Sequence, residues 1–176
     1  RLHRTPPWAD VHPLLRAADW WLLNGRCLLT RQNLIRLAAF GSFALLAGAY
    51  TFQAFGYPPC TMCYWQRWPH FAAIGVGIAA TLIPARVWPY LGALAAATTS
   101  GIGVYHTGVE RGWWEGPTSC TGGGLDLTSD LLSTSGDRLI MCDQVSWELF
   151  TLSMASWNAL FSAALVLVWL AAARKQ

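Results

Sequence analysis

The stretch Pro58-Pro59-Cys60-Thr61-Met62-Cys63-Tyr64-Trp65-Gln66-Arg67 decides how the chain is read. Two prolines cannot continue a helix that arrives from the N-terminal side, so the chain turns at Pro58-Pro59. A new helix is predicted to start near Cys60 and to run into the apolar residues beyond Trp68. On it Cys60, Cys63, Arg67 and His70 fall at i, i+3, i+7 and i+10, close to one face. The free N–H groups of a helix start favour an anion, and so does a nearby guanidinium. Both lower a thiol pKa, which makes Cys63 the expected thiolate of the pair. A C-x-x-C alone also serves zinc sites and structural disulfides. Joined to a helix start and Arg67, it points to a redox dithiol.

Working outward, the composition is that of a small integral membrane protein. Of 176 residues 54% are hydrophobic and 12% charged, against about 25% charged in an ordinary soluble domain. Four apolar stretches approach the roughly 20 residues that cross a bilayer core. They run from Leu37 to about Phe55, from Tyr64 to Ile83, from Val87 to Tyr105 and from Leu149 to Ala173. The first three are joined by short links, so neighbours should pack antiparallel. The expected fold is all-α, a polytopic membrane protein built as a four-transmembrane-helix bundle with two cysteine-bearing loops, about 56–63 and 108–148. Gly41, Gly48, Gly75, Gly77, Gly92, Gly101 and Gly103 are expected to let helix backbones approach closely.

Charge orients the bundle. Residues 1–36 form a basic arm with six Arg against two Asp, in which Leu14 to Leu23 can form a short interfacial helix. Arg86 lies in the turn between the second and third spans, and residues 174–176 form a basic tail. The link 108–148 carries two Arg against seven acids. Lys and Arg favour the cytoplasm, so both termini are predicted there and both cysteine loops outside. Disulfides persist in that outer compartment. Cys60 and Cys63 fall in the first outer loop, Cys120 and Cys142 in the second, and Cys27 stands apart on the basic side. From the residues alone the four outer cysteines can be redox pairs, staples for the loops, or, with His70 and His106, ligands of a soft metal. Arg67 and the lack of close-spaced ligands around Cys120 and Cys142 argue against a cation. His106, at the outer end of the third span, and His70 are rival candidates for a ligand site with Arg67. Trp65, Trp68, Trp113, Trp114 and Trp147 are expected to be interfacial anchors, one or two of them lining a pocket.

Several features together resemble the disulfide bond formation protein B (DsbB) family of bacterial inner-membrane proteins. They are Cys60-Thr61-Met62-Cys63 with Arg67, Tyr105-His106-Thr107, the pair Cys120 and Cys142, and Cys142-Asp143-Gln144-Val145-Ser146-Trp147 leading to Leu152-Ser153-Met154-Ala155-Ser156-Trp157-Asn158. The resemblance covers roughly Arg36 to Trp169. It implies a thiol:quinone oxidoreductase that reoxidises a periplasmic thioredoxin-fold oxidase (DsbA-like) and passes two electrons to ubiquinone or menaquinone in the membrane. By the same resemblance Cys120 forms the mixed disulfide with the partner, and Cys142 pairs with it and links transiently to Cys60. Cys63 then faces quinone, with Arg67 on a quinone oxygen and His106 near the ring. No metal and no nucleic-acid partner are expected. A vitamin K epoxide reductase-like quinone reductase is the rival of the same class. There the loop pair usually precedes the C-x-x-C, whereas here it comes after. A non-enzymatic membrane protein with stapled loops or a metal site is the rival of a different class.

Overall fold

The computed structural model describes residues 30–118, 120 and 141–175. The chain is mostly helical there. Helices α1 (Arg31–Ala54), α2 (Thr61–Leu82), α3 (Trp88–Glu110) and α4 (Met154–Arg174) are joined by a two-stranded antiparallel hairpin, β1 (Glu148–Leu149) with β2 (Leu152–Ser153). Two of the four, α1 and α4, are long and apolar enough to cross a membrane by length and composition. The expected interfacial helix in the arm, Cys27 and most of the link between Cys120 and Cys142 lie outside the described residues.

Local chemistry sets the boundaries, and it moves three of them from the sequence-based expectation, one being the end of α3, which runs past Tyr105 to Glu110. α1 starts at Arg31 rather than Leu37, because the Thr30 hydroxyl accepts the Asn33 N–H and caps the helix. The last residues of the basic arm are therefore the first turns of α1. α1 stops where Gly56 takes φ +90°, with Tyr57 N–H returned to the Phe52 carbonyl and Gly56 N–H to that of Gln53. Pro58 and Pro59 then keep the chain extended up to Cys60. α4 starts at Met154 rather than Leu149. Phe150 and Thr151 adopt φ 52° and 63°, which closes Glu148–Ser153 into a two-residue hairpin turn. Ser153 caps α4, its hydroxyl accepting the Ser156 N–H.

The helices pack in a ring, α1 on α2, α2 on α3, α3 on α4 and α4 back on α1, with little contact between α1 and α3. One end of the ring is basic. Arg31 donates to the Ala85 carbonyl there, tying the start of α1 to the turn between α2 and α3. Arg174 and Lys175 lie at the same end. The other end holds the start of α2, the end of α3 and the hairpin. The interior is small and polar: Ser42, Thr99 and Ser162 are fully buried, with Ala38, Ala73, Ala96 and Ala172. Large apolar side chains face outward from every helix, among them Phe40, Ile78, Leu94 and Leu167. Among the described residues the bundle is thus polar at its centre and apolar on its outside.

Trp169 fills the basic end and is completely buried. It fits because α3 has no side chain at Gly92, where a Cβ would lie 2.4 Å from the indole. Gly41, Gly77 and Gly103 also sit at close helix contacts. Gly48, Gly75 and Gly101 do not, since a Cβ there would meet nothing within 4 Å. Glycine content revealed that close contacts exist, but the facing direction of each position depends on helix rotation. The two kinds of glycine should respond with opposite sign. Gly92→Ala drives a methyl into a rigid ring and should cost about 1–3 kcal/mol of stability. Gly101→Ala should be neutral or stabilising by up to ~1 kcal/mol through helix propensity. Thermal unfolding of the detergent-solubilised chain measures both.

Candidate functional site

Cys60 is the N-cap of α2, and its sulfur accepts the N–H of Cys63 at 3.2 Å. Cys60 has the extended backbone of a cap residue, φ −81° and ψ 171°. The Cys60 thiol donates to the Cys63 sulfur, with 2.8 Å between the two. That hydrogen bond, together with burial, holds the Cys60 thiol well above the ordinary range. Cys63 is thus the acceptor of the pair, turned toward Arg67 and one helical turn from it.

On its other side Cys60 meets the second pair. Cys120 and Cys142 form a disulfide, and the Cys142 N–H donates to the Cys120 carbonyl at 2.7 Å. The sulfurs of Cys60, Cys120 and Cys142 all lie within 4.8 Å of one another. The three are buried with Met62 and Val109 in one apolar cluster. His106 borders it, with Nε2 3.5 Å from the Cys60 sulfur and 3.8 Å from a carboxylate oxygen of Glu110. Glu110 accepts in turn from the Ser153 hydroxyl.

Cys60, Cys63 and His106 are grouped closely enough to be considered as metal ligands. Their sulfurs sit 2.8 Å apart, whereas a tetrahedral zinc with Zn–S of about 2.3 Å would hold them about 3.8 Å apart. The spacing suits a dithiol that exchanges a proton and closes to a disulfide.

Beyond Cys63 a cavity of about 420 Å³ opens between α1, α2 and α4. Its walls are mainly apolar, with Leu45, Phe52, Trp147 and Phe161 among them, and Cys63, Gln66, Arg67, His70 and Asn158 supply its polar groups. Arg67 is buried, 6% exposed, with its guanidinium 4.5 Å from the Tyr50 ring centre and 4.8 Å from that of Tyr64. Its Nη1 donates to the Gln53 side-chain oxygen at 2.9 Å, and its Nε has no partner among the described residues. Among the described residues no carboxylate pairs with it. Trp147 lines the cavity, while Trp65, Trp68, Trp113 and Trp114 face outward, 43–73% exposed.

The sequence-predicted residues are thus divided between two places. Cys60, Cys120, Cys142 and His106 gather at the cluster, and Cys63 and Arg67 face the cavity. His106 is not among the cavity's lining residues, and His70 is. Sequence reasoning passed over Gln66, Thr99 and Asn158, which link the two histidines through buried hydrogen bonds. The available signal was their polarity within apolar helices. Gln53 carried the same signal, but neither it nor Tyr50 could be matched to Arg67 from sequence, because both come from a different helix.

The family described as Disulfide bond formation protein DsbB matches residues 31–172. The chain belongs to the DsbB family. The Disulfide bond formation protein B of Verminephrobacter eiseniae (strain EF01-2) is 34% identical over 160 residues, covering 81% of this chain and 85% of the relative. No solved structure matches the chain. Within the DsbB match lie both cysteine pairs, Arg67 and the whole cavity.

The raised Cys60 thiol has a direct consequence. With its pKa shifted upward, Cys60 stays protonated at neutral pH and should resist iodoacetamide through about pH 9, where an ordinary thiol near 8.5 reacts freely. Cys63→Ala removes the acceptor of its hydrogen bond and should bring Cys60 alkylation down toward the ordinary pH range. Peptide mass spectrometry of the reduced chain across a pH series reads this.

Proposed function

We propose that this chain is a membrane thiol:quinone oxidoreductase that reoxidises a periplasmic DsbA-like dithiol oxidase. The observation that carries the reading is the placement of Cys60–Cys63 between the Cys120–Cys142 disulfide and an apolar cavity that holds a buried arginine. All four helices are read as crossing the bilayer. Each is 21–24 residues long and turns large apolar side chains outward, and Arg31, Arg86, Arg174 and Lys175 gather at one end. That end is placed in the cytoplasm by the positive-inside rule, and the cysteine end in the periplasm.

The cavity fits a quinone ring on two counts. Its walls are mainly apolar, and two of its lining residues, Arg67 and His70, each carry a buried polar atom, Nε and Nδ1, with no partner among the described residues. A bound quinone supplies the acceptor, taking two electrons and two protons. The chain's own residues divide the remaining work. A partner thiolate attacks Cys120 and displaces Cys142. The second partner thiol then releases the partner as a disulfide, leaving Cys120 and Cys142 reduced. Cys142, beside Cys60, hands the pair of electrons to the Cys60–Cys63 disulfide by exchange, so that Cys120–Cys142 closes again and Cys60 and Cys63 become thiols. Cys60 keeps its proton on sulfur in its hydrogen bond to Cys63, and Cys63 presents the sulfur on the cavity side. Arg67 places fixed positive charge where negative charge builds during reduction. DsbA is a strong oxidant, so an ordinary disulfide reoxidises it poorly, and a relay ending at quinone supplies the driving force.

Two measurements test this. Purified chain should oxidise a reduced DsbA-like protein only when quinone is present. Cys120→Ser should abolish exchange with the partner, and Arg67→Ala should lower kcat by on the order of 10²-fold and raise the quinone KM. Arg67→Lys, which keeps the charge but loses the planar fork, should be milder. Quinone-independent oxidation, or a Cys120→Ser chain that turns over normally, refutes the relay. For topology, a membrane-impermeant maleimide applied to intact cells after reduction should label Cys120. Labelling of Cys27 with sparing of Cys120 would invert the orientation.

A further inference from the structure

The donor and acceptor directions around the cavity are fixed by backbone carbonyls. The Met62 carbonyl can only accept, so Gln66 turns its Nε2 toward it at 3.3 Å. The same amide nitrogen then donates to His106 Nδ1 at 2.9 Å. Gln66 Oε1 is left to accept from Asn158 Nδ2 at 2.7 Å. Asn158 therefore presents Oδ1 to His70 Nε2 at 2.9 Å, and His70 must donate there. Thr99 gives the same answer independently. Its hydroxyl donates to the Gln66 carbonyl at 3.0 Å, so its oxygen accepts from Asn158 Nδ2 at 3.1 Å and from His70 Nε2 at 3.3 Å. A neutral His70 thus carries its proton on Nε2, and its Nδ1 is a bare lone pair. That atom is buried and has no partner among the described residues.

Two residues that line the cavity thus carry unmatched groups of opposite kind. Arg67 Nε–H is a donor and can hold either a carbonyl or a hydroxyl oxygen. His70 Nδ1 is an acceptor and is matched only by a donor. An oxidised quinone ring presents acceptors at both carbonyls. The reduced ring carries hydroxyls in their place. We infer that His70, oriented by Asn158, accepts a hydrogen bond from a hydroxyl of the quinol, so that the cavity binds the reduced ring more tightly than the oxidised one. The inference rests on the quinone reading of the cavity and adds to it a residue that selects the redox form of the ligand.

The energetic consequence comes from linkage. A site that prefers the reduced member of a couple raises the reduction potential of that couple when bound. For two electrons, a tenfold preference is about 30 mV. A buried lone pair facing a carbonyl instead of a hydroxyl loses a hydrogen bond and stays unsatisfied, which is enough for a preference of about tenfold. The device makes the bound ring a stronger oxidant toward the dithiol beside it.

The test uses the full chain in nanodiscs on a Cys63→Ala background, in which electrons do not pass. Trp147 and Trp157 line the cavity, so quenching of Trp fluorescence reports binding of decylubiquinone and, under anaerobic conditions, of decylubiquinol. With His70 in place the quinol should bind about tenfold more tightly than the quinone. His70→Leu should remove that preference while changing the quinone Kd less than about twofold. His70→Gln, whose amide can donate to Asn158 and still accept from the ring, should retain part of it. Asn158→Leu, which releases the imidazole tautomer, should lose it. An unchanged ratio in His70→Leu overturns the inference and leaves the quinone reading standing. Equal loss of both ring forms in His70→Leu and His70→Gln assigns His70 to packing and overturns it as well. A parent chain that binds neither ring form removes the quinone reading and this inference together.

Discussion

Gln66 stands where three helices meet, and the placement of the site depends on how its amide is used. Its nitrogen serves the Met62 carbonyl and His106 of α3, and its oxygen accepts from Asn158 of α4. Buried as they are, each of these groups costs free energy if it is left without a partner. The amide therefore locks the rotation of α2 against α3 and α4 at one level of the ring. That level lies one to two turns below Cys60. It is what holds the His106 imidazole beside the Cys60 sulfur while keeping His70 on the cavity side. A leucine of similar volume would pack there but would orient neither ring.

Above that level the C-x-x-C exploits a helix start in an unusual way. A cap residue is normally Ser, Thr, Asp or Asn, with an oxygen accepting from the first turn. Here a sulfur does it. The consequence is asymmetry between two residues of the same type. Cys60, outside the helix, has its proton directed at its neighbour and sits against the Cys120–Cys142 disulfide. Cys63, in the first turn, receives hydrogen-bonding from that neighbour and faces the cavity. One dithiol thereby shows a different chemical face to each side, which a relay of electrons between a disulfide and a second acceptor requires.

Much of this was legible in the chain. The helices follow from apolar runs of membrane length, the start of α2 from Pro58-Pro59, and the importance of Arg67 from a charge within an apolar helix. The start of α4 was not legible, because Leu149 to Ser153 reads as part of the apolar run. Two residues at positive φ turn it into a hairpin, and neither Phe150 nor Thr151 advertises that conformation. The lining of the cavity was hidden for a different reason. Whether His70 or His106 faces it depends on helix rotation and on Asn158, 88 residues from His70 in sequence. Gln66, Thr99 and Asn158 were visible as polar residues in apolar helices, yet they carry no charge and drew no attention beside a histidine and an arginine. Contacts of this kind are set by packing, which periodicity alone does not resolve.

The treatment of charge obeys the same division. A buried guanidinium is ordinarily compensated by a carboxylate, and such a pair gives up most of its field to its own partner. Arg67 is held instead by a neutral amide oxygen and two aromatic faces, which solvate the cation without neutralising it. A buried acid does exist at this end of the molecule. Glu110 is kept away from Arg67 by its hydrogen bond to Ser153 and its place beside His106. Cys63 and Arg67 both line the cavity, so the uncancelled positive field falls on the side of the dithiol away from the Cys120–Cys142 disulfide. Were Glu110 paired with Arg67, that field would collapse. Keeping the acid on the other side leaves a fixed positive charge at the cavity, and under the proposed reading that is the side toward which the electrons travel.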